Sequence, residues 1–325
     1  MKGKHLTAFL LFLVICVGVL IVIDKKTERT DLGSYMTTNP FDKDMASYEN
    51  VPDSLISHVE SKQIRLNVST PIAIDFMDGQ LYLLADDFLQ VINTDGKELK
   101  KVRLGEGATC MTVLKDKRVL VGFKDYVVLL NTELQVIKQS EPVENSIFSS
   151  IGSNGKLIFV ADAGQKQVLI FDFNLKQKNE FKGESGVSDQ HGFIVPSAHF
   201  DLAINNESEL WVVNPGMHAL QNYSDQGKLR GFWGKTSFEI NGFSGCCNPF
   251  YIAFLSDGSI VTSEKGLVRI KIHEPSGLLR SVVAAPSSFT GEKKAPDVTI
   301  DEKNKVYALD FEKNLIRIFT PKNEP

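Results

Sequence analysis

The sequence predicts an all-β, six-bladed β-propeller preceded by a single N-terminal transmembrane helix. Three observations carry that expectation. The chain opens with an uncharged apolar run of 18 residues. From residue 57 onward it breaks into short β-branched and aromatic runs separated by turn signals, with no sustained helical periodicity. Those runs recur in six units of one layout.

The apolar run comes first. Lys2, Lys4 and His5 precede "LTAFLLFLVICVGVLIVI", residues 6–23, which is just long enough to cross a bilayer core as a helix. A cleaved signal peptide has a shorter apolar region followed by a small-x-small site, and "DKKTERTDLGSY" offers none. Ile15, not a small residue, precedes Cys16, which argues against a lipoprotein signal. Residues 1–24 therefore read as an uncleaved anchor that crosses the inner (cytoplasmic) membrane once. Lys25, Lys26 and Arg29 balance the basic residues before the span, so charge does not orient it. Single N-terminal anchors usually act as export signals, and the rest of the chain is expected on the extracytoplasmic, periplasmic side. Residues 25–56 are polar, carry Pro and Gly, and read as a tether.

The propeller is expected over 57–325. Its units start near residues 71, 109, 148, 199, 249 and 296, and their first turns fall at Gly79, Lys117, Gly155, Ser208, Gly258 and Asn304. Each unit reads as strand, turn, strand ending near an acid or amide, turn, strand, turn, strand. A lone four-stranded sheet of this kind cannot bury both faces, whereas six packed radially can. The sixth unit stops after "LIRIFTP", one strand short, and "KQIRLNV" at 62–68 is expected to supply the outer strand and close the ring.

The strand and turn pattern, with "PIAIDF" and "NLIRIF" among its clearest pieces, resembles the NHL-repeat propellers, whose unit runs P-x-G-I-A-V-D…V-x-D…R-I-x-V-F. The similarity spans residues 62–320. The stretch "FSGCCNPFYIAFLSDG" looks like a bacterial branch of these propellers with G-C-C-N-P at the start of one blade. Ser244 stands where that branch has a further cysteine, so no role needing three local thiols carries over. The resemblance implies the fold and no single activity.

Successive strands run antiparallel, so the links between blades and the second turn within each blade share one face. The long links, 183–198, 233–248 and 285–295, all lie there, and long loops on one propeller face are where binding surfaces are built. The same rim is expected to carry Asp86, Asp162, Asn214, Glu264 and Asp310, with Gly122 and Phe123 at the equivalent point of blade 2. The plain reading of these acids is turn capping; the alternative is a hard-cation site.

Cys246 and Cys247 leave three readings open. Adjacent α-carbons sit about 3.8 Å apart, so a bridge between them is strained and reactive. A soft metal joined by His191, His199 or His218 is the second reading, and inert burial the third. Cys110 reads as a packed inner-strand residue. Glu264, Lys265 and Arg269 in "TSEKGLVRIKI" read most simply as a solvent-facing ion pair.

A net charge of −4 and the lack of a basic run exclude nucleic acid as a partner. No nucleophile elbow, phosphate loop, zinc-protease motif or C-x-x-C occurs, and the sequence names no cofactor. The expectation is a membrane-anchored module that binds a protein, peptide or small molecule around blades 4 and 5, through Cys246, Cys247, Asn248, His199, Asn214, Glu264, Lys265 and Arg269. The alternative is an enzyme on that face, either a metal-dependent lyase or hydrolase or a redox protein using the cysteine pair.

Overall fold

Short apolar runs alternating with tight turns fold each unit into a four-stranded antiparallel sheet, and there are six such sheets. The computed structural model describes residues 47–183 and 192–322. The expected 6–23 span lies outside the described residues, and no helix among the described residues is long and apolar enough to cross a membrane. Blades 1 to 5 occupy 71–103, 108–139, 148–181, 202–234 and 251–284, with strands in sequence order from the channel outward.

Blade 6 is composite. From the inside outward it runs Asp297–Ile300, Val306–Asp310, Leu315–Pro321 and then His58–Arg65, so the N-terminal strand closes the ring. Its register pairs His58 with Pro321 and Arg65 with Leu315. The closing strand thus begins and ends earlier than the 62–68 expected. Its side chains are mostly exposed, so apolar alternation did not mark its ends. Blade 5 holds it from below: Ile56 bridges Val282, and the Ser57 N–H donates to the Val282 carbonyl at 2.9 Å.

All six expected first turns have left-handed backbone. The φ angles are +74° at Gly79, +65° at Lys117, +82° at Gly155, +65° at Ser208, +84° at Gly258 and +60° at Asn304. Three of those positions are not glycine, and for them the turn is held by the flanking strand pairs despite the Cβ penalty.

The second strands, such as Val119–Phe123, Ile158–Asp162 and Leu210–Asn214, are buried at every residue, while the outer strands Glu98–Arg103 and Val136–Gln139 face solvent. Burial on both faces explains why the middle strands read as continuous apolar runs. Each sheet-to-sheet junction has its own apolar cluster. Tyr82, Leu84 and Leu89 meet Met111, Val113 and Val121 between blades 1 and 2, and Leu81 and Leu83 meet Tyr307 and Leu309 across the closure. At about 2 kcal/mol for each fully buried large aliphatic, these junctions supply the main force closing the ring. The junction of blades 4 and 5 is the small one: Trp211, Val213, Leu220, Phe243, Ile252 and Ile260.

Candidate functional site

Polar side chains fill that apolar shortfall between blades 4 and 5. The strand Arg269–His273 alternates, so Ile270 and Ile272 face blade 6 while Arg269, Lys271 and His273 turn toward blade 4. Glu264 accepts from Arg269 Nε at 2.8 Å and Nη2 at 3.1 Å, and pairs with Lys271 Nζ at 2.8 Å. All three side chains are wholly buried, which corrects the solvent-facing ion pair expected from sequence. Burial lowers Lys271 to about 8, despite the Glu264 charge opposing that fall. Burial, with Lys271 nearby, also lowers His273 to about 3.

The function of this cluster is to hold a loop. Arg269 donates to the carbonyls of Phe238, Glu239 and Gly242 at 3.1, 3.3 and 2.9 Å, and Lys271 donates to Gly242 at 2.6 Å. The Arg269 and Lys271 donors thus satisfy backbone and carboxylate acceptors that burial would otherwise leave costly. The link from blade 4 to blade 5 is fixed over the rim by charges beneath it.

The other rim residues also turn inward. Asp86 accepts from the N–H groups of Ser69 and Thr70 at 3.0 and 2.7 Å, capping the start of its own blade. Asp162, fully buried, accepts from Ile147 N at 2.9 Å, Ser146 Oγ at 3.0 Å and Gln167 Nε2 at 2.9 Å. Asn214 accepts from Ile194 N at 2.9 Å, and Asp310 accepts from Glu312 N and Lys313 N at 3.1 and 2.8 Å. At blade 2 the slot is Phe123, stacked on Tyr126 at 4.6 Å. The acids lie on the expected rim, but Asp162, Asn214, Glu264 and Asp310 present almost no surface to solvent.

The loops above these residues are joined into one layer. The Gly216 N–H donates to Ile194, linking 192–199 to the 215–218 turn. His218 continues it, with Nε2–H donating to the Gly245 carbonyl and Nδ1 meeting the Thr236 hydroxyl at 2.8 Å. Asn248 fastens the cysteine loop to blade 5: its Nδ2 donates to Ser244 and Lys265 carbonyls at 2.6 and 3.0 Å, and its Oδ1 accepts from Lys265 N at 2.9 Å. Exposed apolar side chains sit on this layer, Ile194 at 39% and Phe238 at 48%.

Cys246 is exposed and Cys247 buried, both as free thiols with sulfurs 3.2 Å apart. The bridge that the sequence left open is therefore not formed in this structure. Burial raises the Cys247 thiol, and the Cys246 sulfur adds to that, while the Ser197 hydroxyl and Lys265 pull it down. Lys265 Nζ lies 5.0 Å from the Phe250 ring centre, and the His199 ring stacks on Phe250 at 4.1 Å. His199 Nε2 meets the Phe250 carbonyl at 3.2 Å. Because a carbonyl only accepts, the ring carries its proton there and leaves Nδ1 with the lone pair. Burial lowers His199 to about 4. His191 lies outside the described residues. His199 and His218 have separate partners, and among the described residues no group of three or more His, Cys, Asp or Glu side chains is arranged to hold a metal.

The central channel, about 520 Å³, contains residues that sequence reasoning missed. Asp75, Asp201 and Asp297 line it together with Thr109, Cys110, His199 and Tyr251. These carboxylates fasten one blade to the next: Asp75 accepts from Val113 N at 2.8 Å, Asp201 from Ile252 N at 2.8 Å and Asp297 from Ile74 N at 2.9 Å. Ser149 and Ser150 do the same between blades 3 and 4, through Phe200 and Leu202. Burial raises all three carboxyls, Asp201 to about 6. The available signal was positional, since Asp201 and Asp297 both stand seven residues before a left-handed turn, the slot that Cys110 fills in blade 2. Cys110 packs there against Gly122, and burial pushes its thiol up to about 12.

No family model matches the chain, and no curated protein is similar to it in sequence. Its fold is shared with solved structures. A catalytically inactive virginiamycin B lyase from Staphylococcus aureus, solved with quinupristin, is 16% identical with a TM-score of 0.57, over 80% of this chain and 99% of that one. A protein of unknown function from Bacteroides thetaiotaomicron is 14% identical with a TM-score of 0.57, covering 81% of this chain and 73% of that one. The β-propeller domain of Myceliophteria thermophila Cps50 (Swd1) is 12% identical with a TM-score of 0.53, over 81% and 99% of the two chains. At such identities the likeness shows a shared six-bladed propeller fold and nothing finer.

Proposed function

We propose that this chain is a membrane-anchored, extracytoplasmic propeller of NHL-repeat type, which binds a protein, peptide or small molecule through the loop layer over blades 4 and 5. The observation that carries this reading is the construction of that layer. The links before and after blade 4 are bonded to each other through the 215–218 turn, and the second is pinned from beneath by buried polar groups, while Ile194 and Phe238 remain exposed on top. A pre-ordered loop surface with apolar anchors loses little entropy on binding. The inward-turned Asp162 and Glu264 support binding over acid–base chemistry at the rim, because both carboxylate oxygens of each are already committed to backbone and side-chain donors.

The test is affinity capture on the full-length chain in its own membrane, comparing wild type with Ile194→Asp combined with Phe238→Asp. Components held by wild type and lost by the double variant support the reading. Components held equally by both contradict it.

A second reading is favoured by one observation, the channel. It places His199, with a free Nδ1, beside Asp201, Tyr251 and Asp297 in a cavity of small-ligand size. A lyase or hydrolase there would use His199 as base, and the fold likeness includes lyases. Stoichiometric metal in the purified full-length protein, together with ligand binding abolished by His199→Ala, would favour it over the loop-face reading.

A further inference from the structure

The loop that opens blade 5 holds its two thiols in a geometry suited to one reaction. Their sulfurs are 3.2 Å apart, with Cys246 open to solvent and Cys247 beneath it. Two sulfurs on one tetrahedral zinc at about 2.3 Å each would stand roughly 3.8 Å apart, so the pair is closer than chelation asks. A covalent bond needs about 2.05 Å, a closing movement of about 1 Å. The structure around the pair confines that movement. Asn248 clamps Ser244 on one side and Lys265 on the other, and His218 holds the Gly245 carbonyl, so the movement falls on residues 246 and 247 themselves.

We propose that Cys246 and Cys247 form a thiol–disulfide exchange site whose co-reactant is a small-molecule disulfide. The exposed Cys246, as thiolate, attacks one sulfur of R–S–S–R, forming Cys246–S–S–R and releasing R–S⁻. Cys247 then gives up its proton and attacks Cys246 Sγ, forming the Cys246–Cys247 bond and releasing the second R–S⁻. The protein loses two electrons and two protons, and the disulfide takes them up as two thiols. Burial of Cys247 sets the order, because only Cys246 is accessible to the incoming disulfide. The Ser197 hydroxyl and the Lys265 ammonium, which both favour the Cys247 thiolate, assist the resolving step. This site is independent of the binding reading above, since its readout is on the sulfurs and needs no partner.

The experiment treats the folded, reduced full-length chain with oxidised glutathione and follows the tryptic peptide 236–265, which contains these two cysteines and no other. The expected product is that peptide lighter by two hydrogens, without adduct, with two glutathione molecules released per chain. Cys247→Ser is expected to stop at a single glutathione adduct on Cys246, and Cys246→Ser, a change at an exposed position, to lose the reaction at this peptide. Stable adducts on both cysteines of the wild type, an adduct on Cys247 alone, or an unchanged peptide overturns the proposal.

Discussion

The buried triad of Glu264, Arg269 and Lys271 gives the sharpest test of how the loop layer is held. Replacing Glu264 by Gln keeps the shape and removes the charge. The carboxylate now faces two cations at 2.8 Å, and all three side chains are wholly buried, so the change leaves both positive groups without a counter-charge in the interior. Breaking one partner out of a buried ion cluster costs about 3–5 kcal/mol, which for a propeller of this size lowers Tm by roughly 10 °C. The assay is urea and thermal unfolding of the full-length chain. A loss below about 1 kcal/mol would refute the reasoning, because it would mean the charges are effectively solvated. A companion variant separates stability from positioning. Glu264→Leu with Arg269→Met and Lys271→Met removes every charge of the cluster, so the penalty of an unpaired buried charge disappears and the loss left is that of the loop hydrogen bonds, about 1–3 kcal/mol for each carbonyl that stays buried. It also strips the carbonyls of Phe238, Glu239 and Gly242 of the donors beneath them, so hydrogen exchange across residues 238–243 should accelerate even where unfolding does not.

Two further outcomes are expected. Asp201 has a folded value of about 6 against an ordinary 3.8, so its contribution to stability is fully present below about 4 and is lost as pH rises through about 6. Asp201→Asn keeps the acceptor for Ile252 N and removes the titration; relative to wild type it should gain up to about 3 kcal/mol between pH 4 and pH 7.5 in urea midpoints, and a pH-independent difference would contradict this. At blade 2, a Cβ on Gly122 would lie 2.5 Å from Cys110 Sγ. Gly122→Ala should therefore cost about 1–3 kcal/mol, with most of it recovered in combination with Cys110→Ala, and an additive double variant would contradict the contact.

The repeat was legible because each blade has the same local demand. A left-handed tight turn between two apolar strands leaves its mark in any sequence, and all six turn positions, Lys117 and Ser208 included, follow from aligning the units. The closing strand was placed but its ends were not, since a mostly exposed outer strand lacks the apolar alternation that fixes boundaries. The rim acids were found for the same reason as the turns, yet their direction was hidden. Asp162 and Glu264 look alike in sequence to any surface acid, and only the packed neighbour shows that they point inward. The strand "RIKIH" did carry a signal, because charges alternating with isoleucines in a middle strand must enter a blade junction. Asp75, Asp201 and Asp297 went unread because their partners are backbone N–H groups on other blades, which no local pattern reveals.

The loop layer over blades 4 and 5 is the surface proposed to meet a partner. Site-specific photo-crosslinking in cells that make the full-length chain tests this most directly, with one probe attached at the exposed Cys246 and another at Ser256, in the turn at the opposite end of blade 5. Adducts from the Cys246 probe that vanish with Ile194→Asp and Phe238→Asp, and none from Ser256, are the predicted result. Adducts from Ser256 alone, or Cys246 adducts indifferent to both substitutions, would contradict it.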